Sequence, residues 1–417
     1  MPPGASGGFS PLDWRWRSRP GRSPPASVRA VHVVIAPDCF TGTLTATQAA
    51  EAMAAGWHDT APNDTLTLLP LSDGGPGFLD VLAGALDGET VALTVSDPLG
   101  RDVPAAILVV GEEGERTAYV ESAQAAGLHL LAADERNPGL TSTWGVGQLL
   151  EAALAEKPQR IVVGLGGSGT NDGGAGLLSA LGAGPPEHLA RGGTALASAP
   201  DDALSGLLAV REQLAGVDLV VATDVENPLL GFKGASAVFG PQKGATPELA
   251  QALEGALGRF TEIVARTVSE PLDLLAGAPR RLEREPGAGA AGGLGYALFL
   301  LGGRRVSGVD LVLDAVGFHD VVHGCDLVVT GEGTFDWQSL QGKVASGVAV
   351  AALGAGLPSV VLAGQVLVGR RETMGLGISG TYAVAETPEQ VDAALLDPVG
   401  TLRARAARVA RTWSPAR

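Results

Sequence analysis

Arg160-Ile161-Val162-Val163-Gly164-Leu165-Gly166-Gly167-Ser168-Gly169-Thr170-Asn171-Asp172-Gly173-Gly174 passes from a β-branched strand through a glycine-rich turn into an Ala/Leu-rich helix. Strand, turn and helix N-terminus in that order collect backbone N–H groups at one point, where they face an anion. Gly166 and Gly167 let the backbone approach a phosphate, Ser168, Thr170 and Asn171 offer side-chain partners, and Asp172 sets a carboxylate beside them. No G-x-x-x-x-G-K-[ST] is present and no clean G-x-G-x-x-G, so the turn is neither a Walker loop nor a dinucleotide fingerprint. Gly167-Ser168-Gly169 is also one residue short of a nucleophile elbow, which argues against a serine hydrolase. The competing reading of the same glycines is structural: a tight turn that lets helix and strand pack.

Working outward, the strand-then-carboxylate theme repeats. Val31 to Asp38, Leu66 to Asp73 and Val217 to Asp224 are each an apolar run closed by Asp. In an open α/β sheet such residues lie at the carboxyl edge, where ligands bind, although any single one also suits the N-cap of the next helix. A second glycine turn, Gly287 to Gly293 with Gly289, Gly292 and Gly293, feeds a helix through Leu301, and further strands are expected at 326–330, 359–362 and 381–384. Between Thr90 and Val120 the strands are shorter and separated by turn signals such as Asp97-Pro98-Leu99-Gly100, and a helical stretch is expected over Pro247 to Leu275. A chain that opens and closes in one style predicts an α/β protein of two α/β domains, a discontinuous one of residues 31–88 and 290–417 with a parallel sheet, and a second, residues 89–289, inserted into it. Residues 1–30, rich in Pro, Gly and Arg without an apolar signal core, read as a disordered tail.

The 417 residues carry a formal charge of −16, which repels nucleic acid and anionic membranes and leaves room for a small anion in a locally cationic pocket. No apolar run reaches the roughly 18–20 residues needed to cross a bilayer. Cys39 and Cys325 are too few and too distant for a disulfide framework or a zinc site, which fits a cytoplasmic protein. Of the 29 basic residues only Lys157, Lys233, Lys243 and Lys343 are lysines, and the last three each adjoin a glycine, as anion-facing turns require. Gly331-Glu332-Gly333-Thr334-Phe335-Asp336, with Lys343 shortly after, combines two carboxylates and a scarce lysine in one loop. His319 and His323 read as a solvated helix end rather than metal ligands.

Together, Ala36-Pro37-Asp38, Ser72-Asp73-Gly74-Gly75, Gly166 to Gly174, Asn227-Pro228-Leu229, Ala235 to Glu248, Gly287 to Gly293, Thr330 to Gly333 and Gly342-Lys343 closely resemble the bacterial glycerate kinase family. The resemblance covers roughly residues 31 to 390 and implies ATP-dependent phosphorylation of D-glycerate, usually to 2-phosphoglycerate, with Mg2+. It also implies that the discontinuous domain is flavodoxin-like. The chain departs from the family pattern in four places: Thr41 where Lys is usual, Pro76-Gly77-Phe78 where Glu-Gly-Thr is usual, Thr334 where Arg is common and Trp337 where Ser is common. These departures bear on the acceptor more than on the fold, so the alternatives are a paralogue acting on another small hydroxy acid and a catalytically silent nucleotide binder.

Phosphoryl transfer needs phosphate donors, a magnesium-holding carboxylate and an orienting base. The glycine turns, with Ser168, Thr170, Asn171 and Lys243, are expected to hold ATP. One or more of Asp172, Asp224 and Glu332 are the candidates for Mg2+, Lys243 and Lys343 for stabilising transferring charge, and Asp38 or Asp73 for orienting the hydroxyl. Catalytic roles thus fall to Asp38, Asp73, Asp172 and Lys343. The expected partner is a small molecule, D-glycerate, bound by a monomer or homodimer.

Overall fold

The computed structural model describes residues 30–268, 272–273, 278–340 and 342–414. The expected tail, but for residue 30, lies outside them. The chain packs as two compact units: one runs to Leu71 and resumes at Leu313, and the other is Ser72–Val312. Segments 72–88 and 290–312 therefore pack with the middle of the chain. The principal strands are β1 (His32–Ile35), β2 (Thr65–Leu68), β3 (Gly88–Ser96), β4 (Asp102–Val110), β5 (Thr117–Glu121), β6 (Arg160–Gly164), β7 (Asp218–Ala222), β8 (Arg304–Val306), β9 (Leu327–Thr330), β10 (Ser359–Ala363) and β11 (Ile378–Ala383).

In the first unit five strands form an all-parallel sheet in the order β2-β1-β9-β10-β11. Counted within the unit this is 2-1-3-4-5, the flavodoxin-like order, whose ligands bind where the strand order reverses, beyond β1 and β9. Both faces are covered, so the strands read as continuous apolar runs. Val33, Ile35, Leu327, Val329, Val360 and Leu362 pack on one face with helices Ala46–Thr60 and Pro398–Trp413, while Val361 and Ala363 turn to the other with Phe335 and Ala349. Helix Ala46–Thr60 starts where Thr45 and Gln48 exchange side-chain-to-backbone hydrogen bonds of 3.2 and 3.0 Å, a capping box. It crosses the C-terminal helix at Gly56, where a Cβ would stand 2.0 Å from the Arg403 carbonyl oxygen.

The second unit holds a six-stranded mixed sheet, β8-β7-β6-β5-β4-β3. The strands β3 and β4 form the expected hairpin, closed by Asp97, whose Oδ1 accepts from the N–H groups of Leu99 (2.8 Å) and Arg101 (2.9 Å). From β5 to β8 the neighbours are parallel, so the segments after β6, β7 and β8 emerge at one edge. At the opposite edge Asp218 joins Arg160 and Arg304, and the Arg304 hydrogen bond leads in holding its carboxyl down at about 2. The helix expected over Pro247 to Leu275 ends at Thr267, where Val268 turns extended (φ −126°, ψ 137°) three residues ahead of Pro271. Beyond it only Leu272–Asp273, paired with Ala278–Pro279, is described before residue 278. No helix among the described residues is long and apolar enough to cross a membrane.

Candidate functional site

In the second unit the glycine turn after β6 lies against the Ser72–Gly77 segment. A Cβ on Gly166 would stand 2.6 Å from the Gly75 Cα, and one on Gly167 (φ +59°) 2.7 Å from the Pro76 ring. Gly75 N–H donates to Asp73 Oδ1 at 3.0 Å. The segment is anchored from below by Glu121 at the end of β5, which accepts from the N–H groups of Gly77 (3.2 Å) and Leu79 (3.0 Å). Glu121 is buried, and burial pushes its carboxyl up to about 7 against those hydrogen bonds. Sequence reasoning passed over this residue, although the strand-end pattern that selected Asp38, applied to Thr117–Glu121, finds it.

Within the turn the polar groups face inward. Lys243, 1% exposed, donates from Nζ to Ser168 Oγ at 2.8 Å and to the Thr170 carbonyl oxygen at 2.6 Å. Burial lowers its ammonium to about 7, opposed by the negative charge of Asp172. Asp172 is fully buried and accepts four hydrogen bonds: from Thr143 N–H (2.8 Å), Thr143 Oγ1 (2.9 Å), Gly174 N–H (3.1 Å) and Gly176 N–H (3.2 Å). Desolvation still raises its pKa. Its two oxygens thus tie the start of helix Trp144–Ala155 to the turn. Asn171 donates to Ser236 Oγ at 2.8 Å, while Asn171 Oδ1 and Thr170 Oγ1 are buried without a hydrogen-bond partner among the described residues.

The second glycine turn packs onto the first. Gly173 N–H donates to the Gly292 carbonyl at 3.0 Å. A Cβ on Gly292 (φ +71°) would stand 1.9 Å from the Thr170 carbonyl oxygen, and one on Gly293 (φ +93°) 2.6 Å from the Gly173 Cα. Gly289 lies as tightly on Pro228, 2.3 Å from its carbonyl oxygen by the same measure. Close backbone packing therefore accounts for glycine at all three positions.

Asp224, following β7, accepts from Val309 N–H at 3.0 Å. Its pKa is raised to about 6, first by burial and further by Asp73 and Asp310, against hydrogen bonds from Ser307 and Val309. Between the two carboxylate-bearing loops runs Gly308, whose Cβ would stand 2.1 Å from the Asp73 carbonyl oxygen and 3.2 Å from Asp224 Oδ2. Of the sequence-selected residues, Asp73, Asp172, Asp224, Lys243 and both glycine turns belong to this unit.

Asp38, Glu332 and Lys343 belong to the first unit. Asp38 N–H donates to the Gly331 carbonyl at 2.8 Å and Asp38 Oδ1 accepts from Cys39 N–H at 2.7 Å, which sets this carboxylate beside the Gly331–Gly333 loop at the β1/β9 switch point. Glu332 is buried, and Lys343 occupies the N-cap of helix Val344–Gly354. Asp336, the other carboxylate of the loop, serves a turn by accepting from Gln338 N–H at 2.8 Å. Among the described residues no cluster of three or more His, Cys, Asp or Glu side chains is disposed to hold a metal. A cation here would rest on one or two carboxylates together with ligand oxygens, which is the habit of Mg2+. His319 Nε2 lies 3.6 Å from Asp314 Oδ1 on the surface, and its ring meets Phe318 edge to face at 6.0 Å between centroids.

Comparison with known proteins bears on the same blocks. Residues 33–414 match the family described as the glycerate kinase family. The glycerate kinase of Bacillus subtilis is 40% identical over 357 residues, covering 84% of this chain and 90% of its own. The glycerate 2-kinase of Escherichia coli is 37% identical over 339 residues, covering 80% and 85%. A crystal structure from Salmonella typhimurium LT2, described as a candidate glycerate kinase 2, superposes with a TM-score of 0.69 at 36% identity and covers 92% of this chain and 98% of its own. With residues 33–414 matched, including the strand-end carboxylates and both glycine turns, the chain belongs to the glycerate kinase family.

Proposed function

We propose that the protein transfers the γ-phosphoryl group of ATP to a hydroxyl of D-glycerate, giving 2-phosphoglycerate. The observation that carries this reading is the family match over residues 33–414, which includes a relative named as a glycerate 2-kinase. The donor set fits a magnesium nucleotide: Asp224 is an oxygen ligand whose pKa burial and two neighbouring carboxylates raise to about 6, a repulsion that a divalent cation relieves. Asp224, or alternatively Glu332, is the residue that would hold Mg2+, which when bound would neutralise phosphate oxygens. The chain's own groups supply the rest. Lys243 would hold the Ser168 and Thr170 turn toward an anion, Lys343 would add a second cation, and Asp38 or Asp73 would orient the acceptor hydroxyl and take its proton. Asp172, with its oxygens committed to Thr143, Gly174 and Gly176, would act as a positioning residue for the turn. We place the enzyme in the cytoplasm.

The test is ADP release from purified protein with Mg-ATP and D-glycerate, with L-glycerate and glycerol as controls and the product's phosphorus position read by 31P NMR. Turnover selective for D-glycerate with the phosphate on C2 is expected. ATP binding without turnover of D-glycerate would refute the reading and turn attention to other hydroxy acids.

A further inference from the structure

The carboxyl edge of the first unit's sheet carries a cavity of about 150 Å³. Its walls are the segments that follow β1, β9, β10 and β11, closed by helices Pro388–Leu396 and Pro398–Trp413. Among the described residues that line it none is charged. Phe40, Val391 and Ala394 give apolar walls, and the residues with polar side chains that line it are threonines and Gln365. Two of the departures from the family pattern, Thr41 and Thr334, line this cavity, so positions where the family commonly carries Lys and Arg are neutral here.

A neutral, mostly apolar cavity does not repay the desolvation of a phosphate or a carboxylate, which excludes glycerate and the polyphosphate chain as its occupants. It suits a flat, uncharged heterocycle with apolar faces and a hydrogen-bonding edge. A carboxamide is the side chain that pairs bidentately with the amino and ring-nitrogen edge of adenine. The cavity's loops also carry the carboxylates at the strand-order reversal: Asp38 lies two residues before Phe40, and Glu332 directly before Gly333. We infer that this cavity receives the adenine base of the nucleotide, with Gln365 reading its edge and the phosphates leaving toward Glu332. The inference rests on the ATP-dependent reading and adds to it where the base is held.

Two measurements test it, and neither needs turnover. Ala394→Phe fills the cavity from a half-buried helix position. Calorimetry of this variant should show ATP affinity weakened about tenfold or more, as loss of base stacking predicts, with binding of inorganic tripolyphosphate unchanged. In the unmodified protein, photolabelling with 2-azido-ATP should place the cross-link within residues 40–44 or 384–402. Undiminished ATP affinity in a folded Ala394→Phe variant, or a cross-link confined to residues 72–312, would overturn the assignment while leaving the proposed reaction standing. Loss of ATP binding in Ala394→Phe alongside no glycerate turnover by the unmodified protein would keep the base site and remove the reaction. An unmodified protein that binds no ATP at all would remove both.

Discussion

The two units treat charge in opposite ways. Among the described residues the second unit buries Asp97, Glu121, Asp172 and Lys243, whereas the first buries Glu332 alone among charged side chains and lines its cavity with neutral groups. Buried charges need dedicated partners, so the second unit's turns are held by side-chain hydrogen bonds to backbone, each fixing a loop at the cost of desolvation. The cavity at the first unit's edge is walled by apolar groups and uncharged polar ones. One edge is built for ions and the other for a ring.

The largest effect expected of breaking this contrast is on Asp224. Asp224→Asn should lower kcat/KM for D-glycerate by about 10²–10³, while the melting temperature holds or rises because a buried like-charge repulsion is removed. Steady-state kinetics within about threefold of the parent would take Asp224 out of the reaction. Next in size is the seam between the glycine turns. Gly292→Ala combines a positive φ with a Cβ 1.9 Å from the Thr170 carbonyl oxygen. It should cost about 2–5 kcal/mol, read as a melting temperature lower by roughly 5–15 °C, and an unchanged melting temperature would mean the seam opens freely.

Buried titratable groups sharpen the comparison through pH. Glu121 has a folded pKa of about 7 against an ordinary 4.5, so the folded state holds the extra proton and stability falls as pH rises between those values. Lys243 has a folded pKa of about 7 against 10.5, so the unfolded state holds the extra proton and stability rises with pH across that window. The two slopes meet in a minimum near pH 7, each limb worth at most a few kcal/mol. Chemical denaturation across pH should show Glu121→Gln making the acid limb shallower, the remainder belonging to Asp224 and Asp172 whose raised pKa values slope the same way, and Lys243→Met flattening the alkaline limb, whereas limbs unchanged in these variants would take Glu121 and Lys243 out of the account. The smallest effect is expected at Trp337, 60% exposed in the first unit. Trp337→Ser should leave kcat/KM within about twofold and stability within about 0.5 kcal/mol. A tenfold kinetic loss would bring the indole into the site.

Much of this was legible because local chemistry determined it. Arg160–Gly164 is a strand in the sequence and in the fold, and the β-branched runs ending near Asp38 and Asp224 each pair with parallel neighbours in their own sheet. Elements decided by distant partners were not legible. Asp172 looked like a phosphate-side carboxylate because nothing nearby announces Thr143, 29 residues earlier, as its partner. Gly292 and Gly293 satisfy a phosphate cradle and a backbone seam equally well, and only the position of Thr170 and Gly173 distinguishes them. Glu121 is legible as a strand-end carboxylate, but its anchoring role depends on where Gly77 and Leu79 arrive. The helix from Pro247 was drawn too long because apolar periodicity continues past the point where Val268 leaves helical geometry.

The strand order of the first unit also dictates when it can exist during synthesis. Strands β1 and β2 are made early, but the strand that separates β1 from β10 begins at Leu327, and the helix crossing Gly56 begins at Pro398. At roughly 5–20 residues per second, the gap of about 260 residues between β2 and β9 keeps this pair waiting for about 13–52 s. Throughout that interval the side of β1 that will meet β9 has no partner strand, while the second unit, contiguous in sequence, is complete by Val312. β1 and β2 are thus the strands of their sheet that wait longest for a partner, until Leu327–Thr330 is made between β1 and β10.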